Sequence, residues 1–380
     1  MSLVADYSAR TIDNSIAGSY DVDAISLNWR IMDDLAVRVS EQTAVKAPDL
    51  GDLFLPQITA FSRADDPCDY RFRDVGRNPE QRRANCDAEG IPADFVSLVV
   101  NATARGVTGG NPNLINEVAD TVSTGIVYQP NWWGDVFFGS LNLAADYIEI
   151  QLNDYVTSFS LTQNMAACYD YDTYPNSQFC DSFTRDADFE VVDFQTGLIN
   201  AGLIDFATYV YKADFAFDVA ELASFVSREN VAMDLGSMAV RWRATQEDFF
   251  ASADSGAAED LSSATGQFGN DEWFYDTAVE WVYGDWYVWV QGNSRSGGVI
   301  DINRQYDDEY LGYDGNPIYE FDGYTTYNGG VGYYVNDDTT LRVNFYNLMD
   351  YDGFEEDVFT PEADLLFIGR QVNASLNVRF

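Results

Sequence analysis

Residues that could do covalent chemistry are scarce in this chain. Among its 380 residues there is no histidine. Ser-His-Asp and Cys-His nucleophilic arrangements are therefore excluded, and so is haem held by a histidine. Gly106, Gly109 and Gly110 match neither a P-loop nor a dinucleotide-binding turn, because no helix opens after them. Carboxylates are abundant, with Asp and Glu totalling 62. At that density some pair will reach a glycosidase-like separation by number alone, so no acid–base pair stands out. The runs Tyr306-Asp307-Asp308-Glu309 and Asp350-Tyr351-Asp352 lack the spacing and the glycine of a calcium loop. They read as solvated acidic loops. The expectation is a protein that is not an enzyme, with no catalytic residue, no metal site and no cofactor.

Two other residue types carry information. The four cysteines form two close pairs, Cys68 with Cys86 and Cys168 with Cys180, each in a polar, loop-like stretch. They read as two local disulfides formed in an oxidising compartment. The competitor is zinc, but the spacings do not fit a finger and no histidine is present. Tyrosines interleave with acids in two places: Tyr169, Tyr171 and Tyr174 between the second cysteine pair, and Tyr306, Tyr310, Tyr313 and Tyr319 further on. Aromatic faces stack on sugar rings and carboxylates accept hydrogen bonds from hydroxyls. These seven are the ligand-binding candidates. The alternative is that they pack loops together.

The charge balance limits the partners. There are 21 basic and 62 acidic residues, for a formal net charge of −41. Nucleic acid is not an expected partner, because phosphate binding needs clustered Lys and Arg. Disorder is not expected either, since 46% of residues are hydrophobic and 15% aromatic. No apolar run is long enough for a transmembrane helix. The N-terminal MSLVADYSAR has neither a basic n-region nor an apolar h-region, so it does not read as a signal peptide.

The elements that must position these residues show a period of two. The C-terminal QVNASLNVRF alternates without a break: Val372, Ala374, Leu376, Val378 and Phe380 are apolar, and their neighbours are polar. Ile25–Ile31, Leu35–Val39, Leu141–Tyr147, Val279–Tyr283, Trp286–Val290 and Leu341–Phe345 repeat the pattern. About twelve such segments have the length of about ten residues that a tilted strand needs to cross a bilayer. Tight connections at Met32–Asp34, Pro130–Asp135, Gly284–Asp285 and Asn336–Asp338 alternate with long ones near 47–117, 156–203, 247–270, 298–321 and 350–363. Trp132, Trp133, Tyr283, Trp286, Tyr334 and Tyr351 sit near strand ends, as interfacial girdles require. Two strands change phase, at Tyr147–Ile148 and at Leu235–Met238. A bulge would do this. A strand rising beyond the lipid would do it too.

Six stretches in order carry a family resemblance. They are SEQTAVKAPDLGDLFLPQ (40–57), the DPC, NC and GIP sites (66–68, 85–86, 90–92), GGNPNLINEVADTVSTGIVYQP (109–130) with LAADYIEIQLNDYV (143–156), CYDYDTYPNSQFC (168–180), YGDWYVWVQGNSRSGG (283–298) and VNFYNLMDYD (343–352). Met349 stands where the last of these usually has Phe. With the terminal Phe380, which resembles the C-terminal signal of outer-membrane barrels, they make the chain similar to the C-terminal half of a TonB-dependent receptor. The resemblance implies an all-β fold: an antiparallel transmembrane β-barrel, with about twelve strands of a 22-stranded barrel, short periplasmic turns and long extracellular loops. No counterpart of the family's plug, TonB box or first ten or so strands is found in these residues. Residues 1–380 are thus expected to form one partial barrel domain.

The same resemblance implies a location in the outer membrane of a Gram-negative bacterium. The implied partners are outer-membrane lipid and lipopolysaccharide, the barrel-assembly machinery, a nutrient ligand, and the TonB complex acting through a plug domain. The function it implies is TonB-dependent active uptake of a scarce, bulky nutrient. The acidic charge favours an oligosaccharide over an anionic ferric siderophore. The alternatives are a passive pore or a surface glycan-binding barrel without TonB coupling, and a soluble all-β glycan-binding domain.

Overall fold

The computed structural model describes residues 1–253, 261–267, 269–299, 320–351, 353 and 369–379. Tyr306, Tyr310, Tyr313, Tyr319 and Phe380 lie outside the described residues.

Twelve antiparallel strands form one curved wall in simple sequence order. They are β1 (Ser2–Asn14), β2 (Gly18–Met32), β3 (Leu35–Lys46), β4 (Glu117–Tyr128), β5 (Ser140–Ser158) and β6 (Val191–Asp218). Then come β7 (Ser237–Ala253), β8 (Trp273–Tyr283), β9 (Trp286–Arg295), β10 (Tyr324–Asn336), β11 (Thr339–Tyr346) and β12 (Gln371–Val378). The up-and-down order follows from the tight turns, since a two-residue connection such as Gly284–Asp285 only joins antiparallel neighbours. Among the described residues β1 pairs only with β2 and β12 only with β11, so the wall is open between them.

Register sorts the alternation into two faces. Val37 pairs with Ile126 and Trp29, while Arg38 pairs with Gly125, which pairs with Asp146. One face therefore carries apolar side chains across successive strands and the other carries ions. Large apolar residues such as Ile25, Leu27, Val39, Ile126, Val290 and Leu341 are exposed on the first face. A contiguous apolar belt of this kind needs an apolar solvent.

Aromatic rings bound the belt at two heights. Near the short turns lie Phe215, Phe217, Trp281, Tyr283, Trp286 and Tyr333, with Trp281 stacked on Tyr283 and Trp286 against Tyr333. Higher up, Tyr147, Tyr209, Tyr211, Trp273 and Tyr275 form a chain of neighbouring rings across β5, β6 and β8. On β8 the two levels are about eight to ten residues apart. At ~3.3 Å per residue and a tilt of ~40° this is about 20–25 Å, the height of a lipid-facing band. Trp132 and Trp133 pack at the lower rim as expected. Tyr334 does not join the girdle: it packs against Tyr287 on the inner face, and Tyr333 takes the outer position. Tyr351 lies on the long-loop side, stacked on Tyr324.

The upper girdle explains the first phase change. Pairing of β5 with β4 and β6 runs unbroken through Tyr147 and Ile148, so no bulge is present there. Above Tyr147 the wall has left the lipid, and its outer face turns polar with Glu149 and Gln151. The strand β6 has 28 residues, whereas about ten suffice to cross a bilayer. Its upper part, from Val191, takes up the last stretch of the loop expected at 156–203. The second phase change is different: Leu235 precedes β7, and the irregularity of that strand falls at Glu247/Phe249. The turn expected at Pro130–Asp135 includes the start of a helical turn, Trp133–Val136, and runs on to Gly139.

Candidate functional site

The long-loop rim carries a folded lid. It is built from residues 47–116 and 159–190 and contains the helices α1 (Pro79–Glu89) and α2 (Leu161–Tyr169). Asn78 caps α1 by accepting from Gln81 N–H, and left-handed Gly90 ends it. Ser160 and Gln163 form a capping box on α2. Short strands Ile58–Ser62 and Ala104–Gly109 pair with each other, and the latter adds in parallel to β6 at Gln195–Gly197. The lid is therefore anchored to the wall through β6.

The lid has its own core. Ile91, Leu161, Met165, Phe179, Phe183 and Phe194 pack around both disulfides, Cys68–Cys86 and Cys168–Cys180. Two buried ion pairs cross it. Arg82 and Asp170 join α1 to the end of α2, and Arg185 donates two hydrogen bonds of 2.7 and 2.8 Å to Asp66. Burial works against the Arg185 charge, but the Asp66 carboxylate outweighs it and raises its pKa. Burial also disfavours the Asp69 carboxylate, yet hydrogen bonds from Arg71 and from the Ser97 N–H hold it below the usual range.

The tyrosines between the second cysteine pair belong to this core. Tyr169 is buried and its hydroxyl lies between Glu89 and Arg185. Tyr174 stacks on it with centroids 5.4 Å apart and donates to Glu89 at 3.1 Å. Burial and the Glu89 carboxylate push the Tyr174 phenol up to about 12. Tyr171 is half-buried against the same cluster. The expected sugar-stacking face is thus corrected for Tyr169, whose ring is enclosed by protein. Of the interleaved acids, Asp170 helps order the lid by pairing with Arg82.

Beneath the lid is a cavity of 440 Å³ where the 104–109 strand leaves β6. Asn111, Asn113, Gln178, Ser182, Gln195 and Asn200 line it. Asn200 accepts from Ile115 N–H and donates to the Ile115 and Asp154 carbonyls, and Asn111 donates to Leu198. These bonds fix an amide-rich wall. The cavity residues were not read as a site because Asn111, Asn113 and Gln178 come from two loops and Gln195 and Asn200 from β6, and only the fold brings them together.

Below it the inner face is a ladder of ions. Arg38 donates to Asp146 at 2.6 Å, Arg243 to Asp214 at 2.8 Å, Arg241 pairs with Glu280 and Gln291 with Asp276. Gly125 leaves the space that the Arg38–Asp146 pair fills, since a Cβ there would overlap the Asp146 carboxylate. Gly330 and Gly332 likewise make room for Trp289 and Tyr287 lying across the wall. This ladder was legible in principle: all of these ions but Asp276, which precedes Thr277, sit between apolar neighbours in an alternating strand.

An up-and-down sheet with a lipid-facing belt, a polar inner face and loops sorted by length is a barrel wall. The sequence family described as TonB dependent receptor-like, beta-barrel matches residues 6–348. The chain belongs to the TonB-dependent receptor β-barrel family. Members of this family are receptors and transporters of the Gram-negative outer membrane, and the chain's short turns are periplasmic and its long loops extracellular. No curated protein matches the sequence. Among solved structures, a mutant of the ferric enterobactin receptor of Pseudomonas aeruginosa superposes with a TM-score of 0.58 at 12% identity, over 100% of this chain and 43% of that one. The siderophore receptor PirA of Acinetobacter baumannii gives 0.57 at 13% identity, over 100% and 44%. At this identity the likeness concerns the fold. The chain spans less than half the length of these receptors.

Proposed function

We propose that residues 1–380 are a partial barrel domain, twelve strands of the larger, 22-stranded wall of a receptor that takes up a scarce, bulky nutrient by TonB-dependent active transport. The open edges at β1 and β12 support the partial-domain reading, because an unpaired strand edge is not tolerated in hydrocarbon. The wall supplies rigidity, the lid shapes the entrance, and a plug coupled to TonB supplies movement. Lipopolysaccharide meets the upper girdle in this reading, and the barrel-assembly machinery inserts the wall.

The ligand favoured is neutral and hydroxyl-rich, an oligosaccharide. The observation that carries it is the amide-lined cavity under the lid, since amides both donate to and accept from hydroxyls. The net charge of −41 works in the same direction by repelling anions. A ferric siderophore is the second reading, favoured by the names of the two receptors that share the fold. The test is uptake by cells in which the whole receptor is the sole TonB-dependent receptor. Labelled oligosaccharides and ferric siderophores are compared with and without a protonophore. Oligosaccharide uptake abolished by the protonophore supports the proposal. Siderophore uptake alone overturns the ligand, and uptake that survives the protonophore overturns TonB coupling in favour of a passive pore.

A further inference from the structure

One connection on the periplasmic rim is unlike the others. Residues 219–236, between β6 and β7, contain the helix α3 (Val219–Ser227). The spacing of its side chains makes α3 two-faced. Val219, Leu222, Ala223, Phe225 and Val226 fall within one arc, and Glu221, Ser224 and Ser227 within the opposite one. The connection is held in a defined shape. Val219 N–H donates to the Gly236 carbonyl at 2.9 Å, Val231 N–H to Ser224 Oγ at 2.9 Å, and the Trp281 indole to the Leu235 carbonyl at 3.0 Å. Glu221 accepts from Gly139 N–H at 3.1 Å, tying α3 to the neighbouring turn.

Its apolar face is nevertheless open. Phe225 is 49% exposed, Val226 72% and Met233 68%. Val136 and Phe137 of the neighbouring turn are exposed beside them. The patch is continuous with the lipid-facing belt. Phe225 meets Phe138 at 5.3 Å, and Phe138 meets Phe215 and Phe217 of β6 at 5.4 and 5.3 Å. Those two rings lie on the outer, lipid side of the wall.

We propose that α3 and residues 228–236 form an interfacial foot, lying in the periplasmic leaflet of the outer membrane with Phe225, Val226 and Met233 at the headgroup–acyl boundary. The occupant of the exposed face is phospholipid. The argument is continuity: the same ring cluster starts on the lipid-facing wall and ends on the open face of α3. A two-faced helix beside a bilayer buries its apolar arc and leaves its polar arc in water. The foot carries Glu221, Glu229 and Asp234 with Arg228, and Asp218 precedes it, so apolar area drives the contact rather than attraction to anionic headgroups.

The test uses the whole receptor, purified and placed in phospholipid nanodiscs with no other protein. The four cysteines of this chain are taken up in disulfides, so, with any free cysteine elsewhere in the receptor replaced by serine, Val226→Cys, Met233→Cys and Ser227→Cys each add a single site for a nitroxide. The expected result is that labels at 226 and 233 collide several-fold more with oxygen, which partitions into lipid, than with a water-soluble nickel chelate, and that the label at 227 shows the reverse. Using both 226 and 233 guards against one variant failing to fold. Preferential collision with the nickel chelate at 226 and 233 overturns the proposal and leaves the face free for a periplasmic protein. Protection from both reagents overturns it as well, because protein then covers the face.

Discussion

At the scale of single residues, the lid depends on charges buried in pairs. Arg82 and Asp170 are both buried, and removing one partner leaves the other uncompensated. Asp170→Asn is expected to destabilise the lid by about 3–5 kcal/mol, read as faster hydrogen exchange in α1 and α2 with the wall unchanged. The pH dependence has two limbs. The folded pKa of Asp69 is lowered from 3.8, so its contribution is present above that value and is lost as pH falls through the lower folded one. The phenol of Tyr174 moves the other way, from 10.0 to about 12. A raised acid pKa means the folded lid holds the proton longer, so lid stability falls as pH rises from 10.0 to about 12. Tyrosinate absorbance followed alongside lid exchange checks this, and a Tyr174 titration at the ordinary value would contradict it. None of these pairings was visible in sequence. Arg82 and Asp170, or Asp66 and Arg185, are far apart along the chain, and only the lid brings them together.

Among elements, the wall and the lid answer to different perturbations. Each disulfide closes a short loop, with sequence separations of 18 and 12, and contributes about 3 kcal/mol in the loop-entropy view. Reduction is expected to expose the lid to protease while the wall strands stay protected. If the wall were cleaved at the same rate, the lid would not be a separate unit. The wall responds to facing. Val279 lies on the outer face of β8 between the two girdles, so Val279→Arg is expected to cost about 2–4 kcal/mol. Asn293 lies on the inner face, paired with Asp276, so Asn293→Arg is expected to be tolerated. Heat-modifiable migration of the inserted barrel measures both, and equal effects would contradict the assignment of faces. The strands and most tight turns were legible because alternation and turn residues are local. The length of β6 was not, since above the lipid the outer face no longer has to be apolar.

For the molecule as a whole, the open wall is the main determinant. Only β2 among the described strands bonds to β1, and only β11 to β12. In hydrocarbon both edges need partners. This chain produced alone is therefore expected to insert poorly and to aggregate through its edges. On the proposed partial-barrel reading, supplying the further wall strands as a separate polypeptide is expected to restore a heat-modifiable barrel. Efficient insertion of the lone chain would instead mean that β1 and β12 find each other.

By itself the sequence determined the class of this protein: antiparallel strands with one face for lipid, short and long connections on opposite rims, two local disulfides and no histidine chemistry. These are local properties, set by side-chain period, turn residues and residue type. The tertiary structure decided what the loops are. Tyr169, Tyr171 and Tyr174, read as part of a ligand surface, pack a cored lid, the amide-lined cavity forms where distant segments meet, and the turn after β6 becomes a two-faced helix continuous with the lipid belt. Each depends on contacts between residues far apart in the chain, which no local pattern encodes.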